Sequence, residues 1–324
     1  MPPTDLEKLT RIVPYEEEDM VVLRPGIALV MYSRAEMSAV MRAAADVLES
    51  YLDFVPSGAI AAVFDSPLDE NEPAGFVPFD ASARRKVLDQ LRAGPTAPDV
   101  EGDGLELVAT PNAQAGDYGV TISALNFPAL PVDDGNTSLI RLEWPWNLFD
   151  RLDVETLVDY IERAAGMFPY CCGNAGMSFL YTIGCATAAH EELPKLLPRF
   201  LGFDSSYNTA QLRMRGKSPP AHWLNLLDGD LVAALGGEEA LRYQLAGCEV
   251  RNIGGGLLIR AAKFPPVVDV NRKGRDIGLL PVVARALRPV RFDRASFAGF
   301  PDEEDGQAWL ERFDDLDSGD WDNG

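Results

Sequence analysis

The sequence predicts an α+β fold, an antiparallel sheet with packed helices in a single compact body, and three observations carry that expectation. Three strand-like runs, Leu105 to Ala109, Tyr118 to Phe127 and Ser138 to Trp144, follow one another with no helical segment between them. Strongly periodic helices lie elsewhere, the clearest from Met37 to Tyr51. The chain of 324 residues, 47% of them hydrophobic, is long enough to bury a substantial core. Strands that succeed one another through loops of Pro, Asn, Asp and Gly favour a meander over a parallel doubly wound sheet.

The elements follow in order. Ile27 to Tyr32 and Ala59 to Phe64 read as strands. Between them, Ser33-Arg34-Ala35-Glu36 has the form of a capping box. Met37, Val40, Met41, Ala44, Val47, Leu48 and Tyr51 then keep helical spacing until Pro56 and Gly58. Asp80 is placed to cap a shorter helix through Val87, Leu88 and Leu91, ending at Gly94-Pro95. Asp153 is placed to cap another, lined by Val154, Leu157, Val158, Ile161 and Phe168 and ended by Pro169. Met177 to Ile183 reads as a strand and Leu193 to Phe200 as a weak helix. Leu224, Leu227, Leu231 and Leu235 fit a helix stopped by Gly236-Gly237, and Glu238 to Leu245 a second. Glu249 to Ile253 and Leu257 to Ala261 suit a hairpin turning at the glycines, and Leu279 to Leu287 a last helix. The body is expected to span residues 1–298, with a possible sub-boundary near 135–150, followed by an acidic tail at 299–324.

Residues able to carry chemistry are scarce. His190 and His222 are the only histidines, and neither has metal-ligand spacing. His190 suits a polar helix start and His222 a packed histidine. Cys171-Cys172 lacks the cationic setting that makes a thiolate, and Gly254-Gly255-Gly256 lacks the Lys-Ser/Thr of a phosphate loop. No catalytic residue, cofactor or metal is expected. The four cysteines, Cys171, Cys172, Cys185 and Cys248, have no secreted-framework spacing. Met1-Pro2-Pro3-Thr4-Asp5 lacks the basic and apolar regions of a signal, and no apolar run approaches the ~20 residues a bilayer needs. A reduced, soluble, cytoplasmic protein is the expectation.

Charge is the most informative property. The formal net charge is -21, which argues against a nucleic-acid binder or adsorption to an anionic membrane. From Gly299 onward, Asp302, Glu303, Glu304, Asp305, Glu311, Asp314, Asp315, Asp317, Asp320 and Asp322 face the single cation Arg312. Phe300, Trp309, Leu310, Phe313 and Trp321 are set among them. Acids interleaved with aromatics suit an adhesive surface for a basic partner. The preceding segment, Arg260 to Arg294, is rich in cations, so the tail could equally dock on its own body.

Leu142-Glu143-Trp144-Pro145-Trp146, Gly173-Asn174-Ala175-Gly176 and Phe200-Leu201-Gly202-Phe203-Asp204 occur in that order. His222-Trp223-Leu224-Asn225-Leu226-Leu227, Gly255 to Ile259, Val283 to Pro289, Asp302 to Asp305 and Trp309 to Phe313 continue the series. The ordered set resembles the DUF3396 family, often described as type VI secretion immunity proteins. The resemblance implies a stoichiometric inhibitor, encoded beside an antibacterial toxin, that protects the producing cell. Relatives are associated with nuclease-type toxins, so the implied partner is a cognate toxin with a basic active cleft, acting in the cytoplasm. The expected contact residues are Asp302, Glu303, Glu304, Asp305, Trp309, Glu311, Phe313, Asp314 and Asp315. An adaptor or chaperone for a secreted effector, and an unrecognised enzyme using His222 or Cys172, are the alternatives.

Overall fold

The computed structural model describes residues 6–15, 18–65, 75–95, 102–110, 114–130, 135–205, 214–272, 276–292, 300 and 303–316. The first half contains β1 (Arg11–Tyr15), β2 (Glu18–Ser33), α1 (Met37–Phe54), β3 (Ala62–Asp65), β4 (Gly75–Pro78) and α2 (Ala81–Ala93). It continues with β5 (Gly102–Val108), β6 (Gly119–Leu125) and β7 (Ser138–Pro145). The second half opens with α3 (Val154–Met167), β8 (Cys172–Leu180), α4 (Ala186–Leu196), β9 (Phe200–Leu201), β10 (Asp204–Ser205) and β11 (Leu224–Leu227). Then come α5 (Gly229–Ala234), α6 (Glu238–Gln244), β12 (Glu249–Ile253), β13 (Gly256–Arg260), β14 (Val268–Asp269), α7 (Leu280–Leu287) and α8 (Glu303–Leu310).

One large sheet organises both halves, in the order β12-β13-β11-β8-β2-β7-β6-β5-β3-β4. Its neighbours along this path are antiparallel. β1 adds to one end of β2, and β10 runs parallel beside β8. β9 and β14 form a separate pair. The fold is therefore α+β, as the three consecutive strands β5, β6 and β7 indicate. The long β2 lies between the halves, where its Ile27-Ala28-Leu29-Val30-Met31 run is buried on both faces.

Strand alternation gives the sheet two different faces. On one, α1 and α3 bury Trp144: its ring lies 5.6 Å from Tyr51, 6.5 Å from Phe54 and 5.8 Å from Tyr160. Tyr51 Oη donates to the Glu143 carbonyl at 2.6 Å, fixing α1 against β7. The opposite face carries a continuous lateral row set by register. Phe64 pairs with Glu106, Glu106 with Thr121, Thr121 with Arg141, Arg141 with Val30, Val30 with Asn174, and Asn174 with Asn225. Five of those residues are polar and buried, so this face cannot be a simple apolar core.

Several sequence expectations hold. Asp80 accepts from the amides of Ser82 and Ala83 and caps α2, and Gly94 ends it at φ 83°. Gly254 and Gly255, at φ 48° and 87°, turn the β12–β13 hairpin. Others require correction. The Ser33–Glu36 capping box does not form: Ser33 is the last residue of β2, its hydroxyl donates to the Pro169 carbonyl, and Glu36 makes no side-chain cap. Leu224 to Leu227 is strand β11, paired on both sides, and helix begins only after Asp228, whose carboxylate accepts from the Leu231 amide at 2.8 Å. The leucine spacing there mixes a doubly buried strand with a short helix. The strand expected at Met177 to Ile183 runs instead from Cys172 to Leu180, the weak helix starts at Ala186 rather than Leu193, and Asp153 precedes α3 without a side-chain cap bond.

Candidate partner-binding site

Two polar assemblies occupy the face opposite α1. The first involves the C-terminal segment. Trp309, Leu310 and Phe313 are 3%, 1% and 1% exposed, and Phe300 packs against Trp309 with ring centroids 5.9 Å apart. The guanidinium of Arg312 lies 3.9 Å from the Trp309 ring centroid and 4.6 Å from that of Phe313. Burial lowers the Arg312 pKa to about 10, against the pull of Asp204. Asp204 in turn accepts from Asn174 Nδ2 at 3.0 Å, and its own pKa is raised by burial.

The basic stretch grips this segment. Asp314 pairs with Arg291 through two contacts, one of 2.9 Å, and with Arg288 at 3.7 Å. Both partners of the Arg291–Asp314 pair have buried side chains. Glu311 lies 3.6 Å from Arg291, and Arg285 donates to the Leu316 carbonyl. Arg291 is itself anchored to the body, because the Ser218 amide donates to the Val290 carbonyl and the Phe292 amide to the Ser218 carbonyl on either side of it.

The expected contact residues therefore separate into groups. Glu304, Asp305, Glu311 and Asp315 are exposed. Trp309 and Phe313 face the protein interior, not the surface, because α8 turns its apolar side onto the body. Asp314 is committed to Arg291. Glu303 begins α8, while Asp302, Asp317, Asp320, Trp321 and Asp322 lie outside the described residues.

The second assembly was not singled out from the sequence. Arg141 Nη2 lies 3.1 Å from Glu143 and 3.8 Å from Glu106, and all three residues are buried. Glu106 also accepts from the Ile183 amide at 3.1 Å. Burial pushes the Glu106 pKa up to about 7, opposed by Arg141 and the Ile183 N–H and assisted by Glu143. A carboxyl with a raised folded pKa stabilises the fold fully below its unfolded value and loses that contribution as pH rises through 7. Between roughly pH 5 and 8, the protein should lose about 2–3 kcal/mol relative to Glu106→Gln, a difference readable in urea melts. Equal pH slopes in the two proteins would remove Glu106 as the source.

His222 and Cys172 are both held in structural settings. His222 lies over Gly176, where an added Cβ would fall 2.4 Å from the imidazole. Its Nδ1 accepts the Trp223 amide, and burial, then Arg312, lower its pKa to about 3. Burial pushes the Cys172 thiol well above its usual range. His190 lies within α4, not at its start, and its Nε2 is 3.1 Å from Tyr181 Oη. Among the described residues, no group of three or more His, Cys, Asp or Glu is arranged to hold a metal, and no helix is long and apolar enough to cross a membrane.

A family model described as TsiV, type VI immunity for VRR-NUC, matches residues 68–313. The chain belongs to that family. The match runs as far as Phe313, so it includes α8 with its buried Trp309. A solved structure of the Pseudomonas aeruginosa T6SS protein PA0821 shares the fold, with a TM-score of 0.74. That similarity covers 93% of this chain and 85% of the other at 15% identity. No curated protein matches.

Proposed function

We propose that this protein binds a cognate type VI toxin of the VRR-NUC nuclease class and neutralises it by covering its basic cleft, without catalysis of its own. The family match is the observation that carries this reading. Charge supports it: the chain has formal net charge -21, and a nuclease cleft must be positive to hold phosphates. The proposed contact residues are the C-terminal acids Asp302, Glu303, Glu304, Asp305, Glu311 and Asp315, of which Glu304, Asp305, Glu311 and Asp315 form an exposed acidic rim. Trp309, Phe313 and Asp314 hold that rim in place from beneath. Since such a toxin attacks nucleic acid, the encounter belongs in the cytoplasm.

Co-expression with a VRR-NUC toxin encoded beside this protein tests the reading. Rescue of growth supports neutralisation. Soluble complex formation with the toxin still active would instead indicate an adaptor. Neutralising the rim with Glu304→Gln, Asp305→Asn, Glu311→Gln and Asp315→Asn should lower the association rate about tenfold at low salt and flatten its salt dependence. Stopped-flow mixing at two ionic strengths measures this, and unchanged rates would move the interface off the rim.

A further inference from the structure

The Glu106–Arg141 assembly is not sealed. Glu106 and Arg141 line a cleft of about 260 Å³ together with Phe64, Thr121, Tyr181 and Ile183, among others. That is smaller than the ~300–1,000 Å³ typical of pockets for drug-sized ligands, but suits one long side chain. We infer that this cleft receives an arginine side chain from the protein partner, its guanidinium seated against Glu106 and Thr121. The inference rests on the proposed toxin complex for the identity of that partner.

Three independent features point to a guanidinium. The first is charge: Glu106, on the cleft lining, shares the Arg141 guanidinium with Glu143, so this group of three carries one negative charge in excess when both carboxylates are ionised. A buried carboxylate accepts several hydrogen bonds, and Glu106 accepts from the Ile183 amide while Arg141 stands 3.8 Å away, beyond hydrogen-bond reach. The second is Thr121, which the register sets between Glu106 and Arg141. It is 5% exposed, and its Oγ1 has no hydrogen-bond partner among the described residues. A buried hydroxyl in that state is costly, and an incoming N–H donor relieves it. The third is the rim. Ile183 is 48% exposed and Phe64 half-buried, which leaves an apolar border around a charged centre. Borders that exclude water around a buried anchor are the usual surroundings of interface hot spots, where arginine is enriched. Arginine fits better than lysine because its planar fork can serve a carboxylate and a neighbouring hydroxyl together.

Titration with N-acetyl-arginine amide, followed by amide NMR, tests the cleft directly. The Thr121 and Ile183 signals should move with arginine and remain still with the neutral isostere N-acetyl-citrulline amide. Glu106→Gln and Thr121→Val should each weaken the response at least about fivefold while leaving the thermal midpoint at pH 7.5 unchanged or raised. With the VRR-NUC toxin domain, Glu106→Gln should weaken binding about tenfold. No arginine-dependent shift up to the solubility limit, equal shifts with citrulline, or shifts that survive Glu106→Gln would overturn the inference. So would unaltered toxin binding by Glu106→Gln. Failure of the wild-type protein to bind the toxin would instead remove the immunity reading, leaving the arginine titration to decide the cleft.

Discussion

Phe313→Ala should destabilise the protein by about 3–5 kcal/mol, and Trp309→Ala by a similar amount, as expected for truncating a large side chain in a packed core. Both side chains are almost fully buried. Their loss also removes the rings under the Arg312 guanidinium, leaving a desolvated charge with less support. Since whole domains are stable by only about 5–15 kcal/mol, either variant uses up a large part of the margin. Equilibrium urea unfolding measures it. A loss below about 1 kcal/mol would mean that the segment rests on the body without completing its core. A practical consequence follows for functional tests. Truncation after Phe297 removes core as well as acidic surface, so lost protection would not distinguish a missing interface from an unfolded protein. Exposed acids changed to amides separate the two.

Asp314→Leu should cost about 3 kcal/mol or more, because it leaves Arg291 with a buried charge whose main partner is gone. Glu311, at 3.6 Å and on a more exposed side chain, compensates only in part. The double variant Arg291→Met with Asp314→Leu should recover most of that loss, since a packed apolar pair of similar volume can replace a buried ion pair. Thermal melts of the four proteins in the cycle give the coupling. If the double variant is as unstable as the sum of the single ones, the pair is not the source of the effect.

Helices with long, strongly periodic faces were legible in the sequence. α1 showed seven apolar residues at helical spacing, and α2 carried a true Asp80 cap. The β12–β13 hairpin was legible because two glycines with positive φ are what such a turn requires. Leu224 to Leu227 was not, since a short strand buried on both faces has no alternation to reveal it. The acidic rim was visible as composition. The burial of Trp309 and Phe313 beneath it was not, because α8 is only 8 residues long and Asp204, which faces Arg312, lies about a hundred residues earlier. Glu106, Thr121 and Arg141 were invisible for the same reason. Each sits in a different strand, and only the register of three strands brings them into one row.

The place of β2 in the sheet has a consequence in time. It pairs on one side with β7, about residues 138–145, and on the other with β8, whose register runs to Leu180. Each pairing therefore closes a loop of more than a hundred residues before it gains a hydrogen bond, and non-local sheets of this kind are slow to form. A newly made chain must hold the apolar run of β2 unpaired while the intervening strands are assembled. Protection against a fast-acting nuclease would then depend on a pool of inhibitor folded before the toxin arrives, rather than on synthesis in response to it.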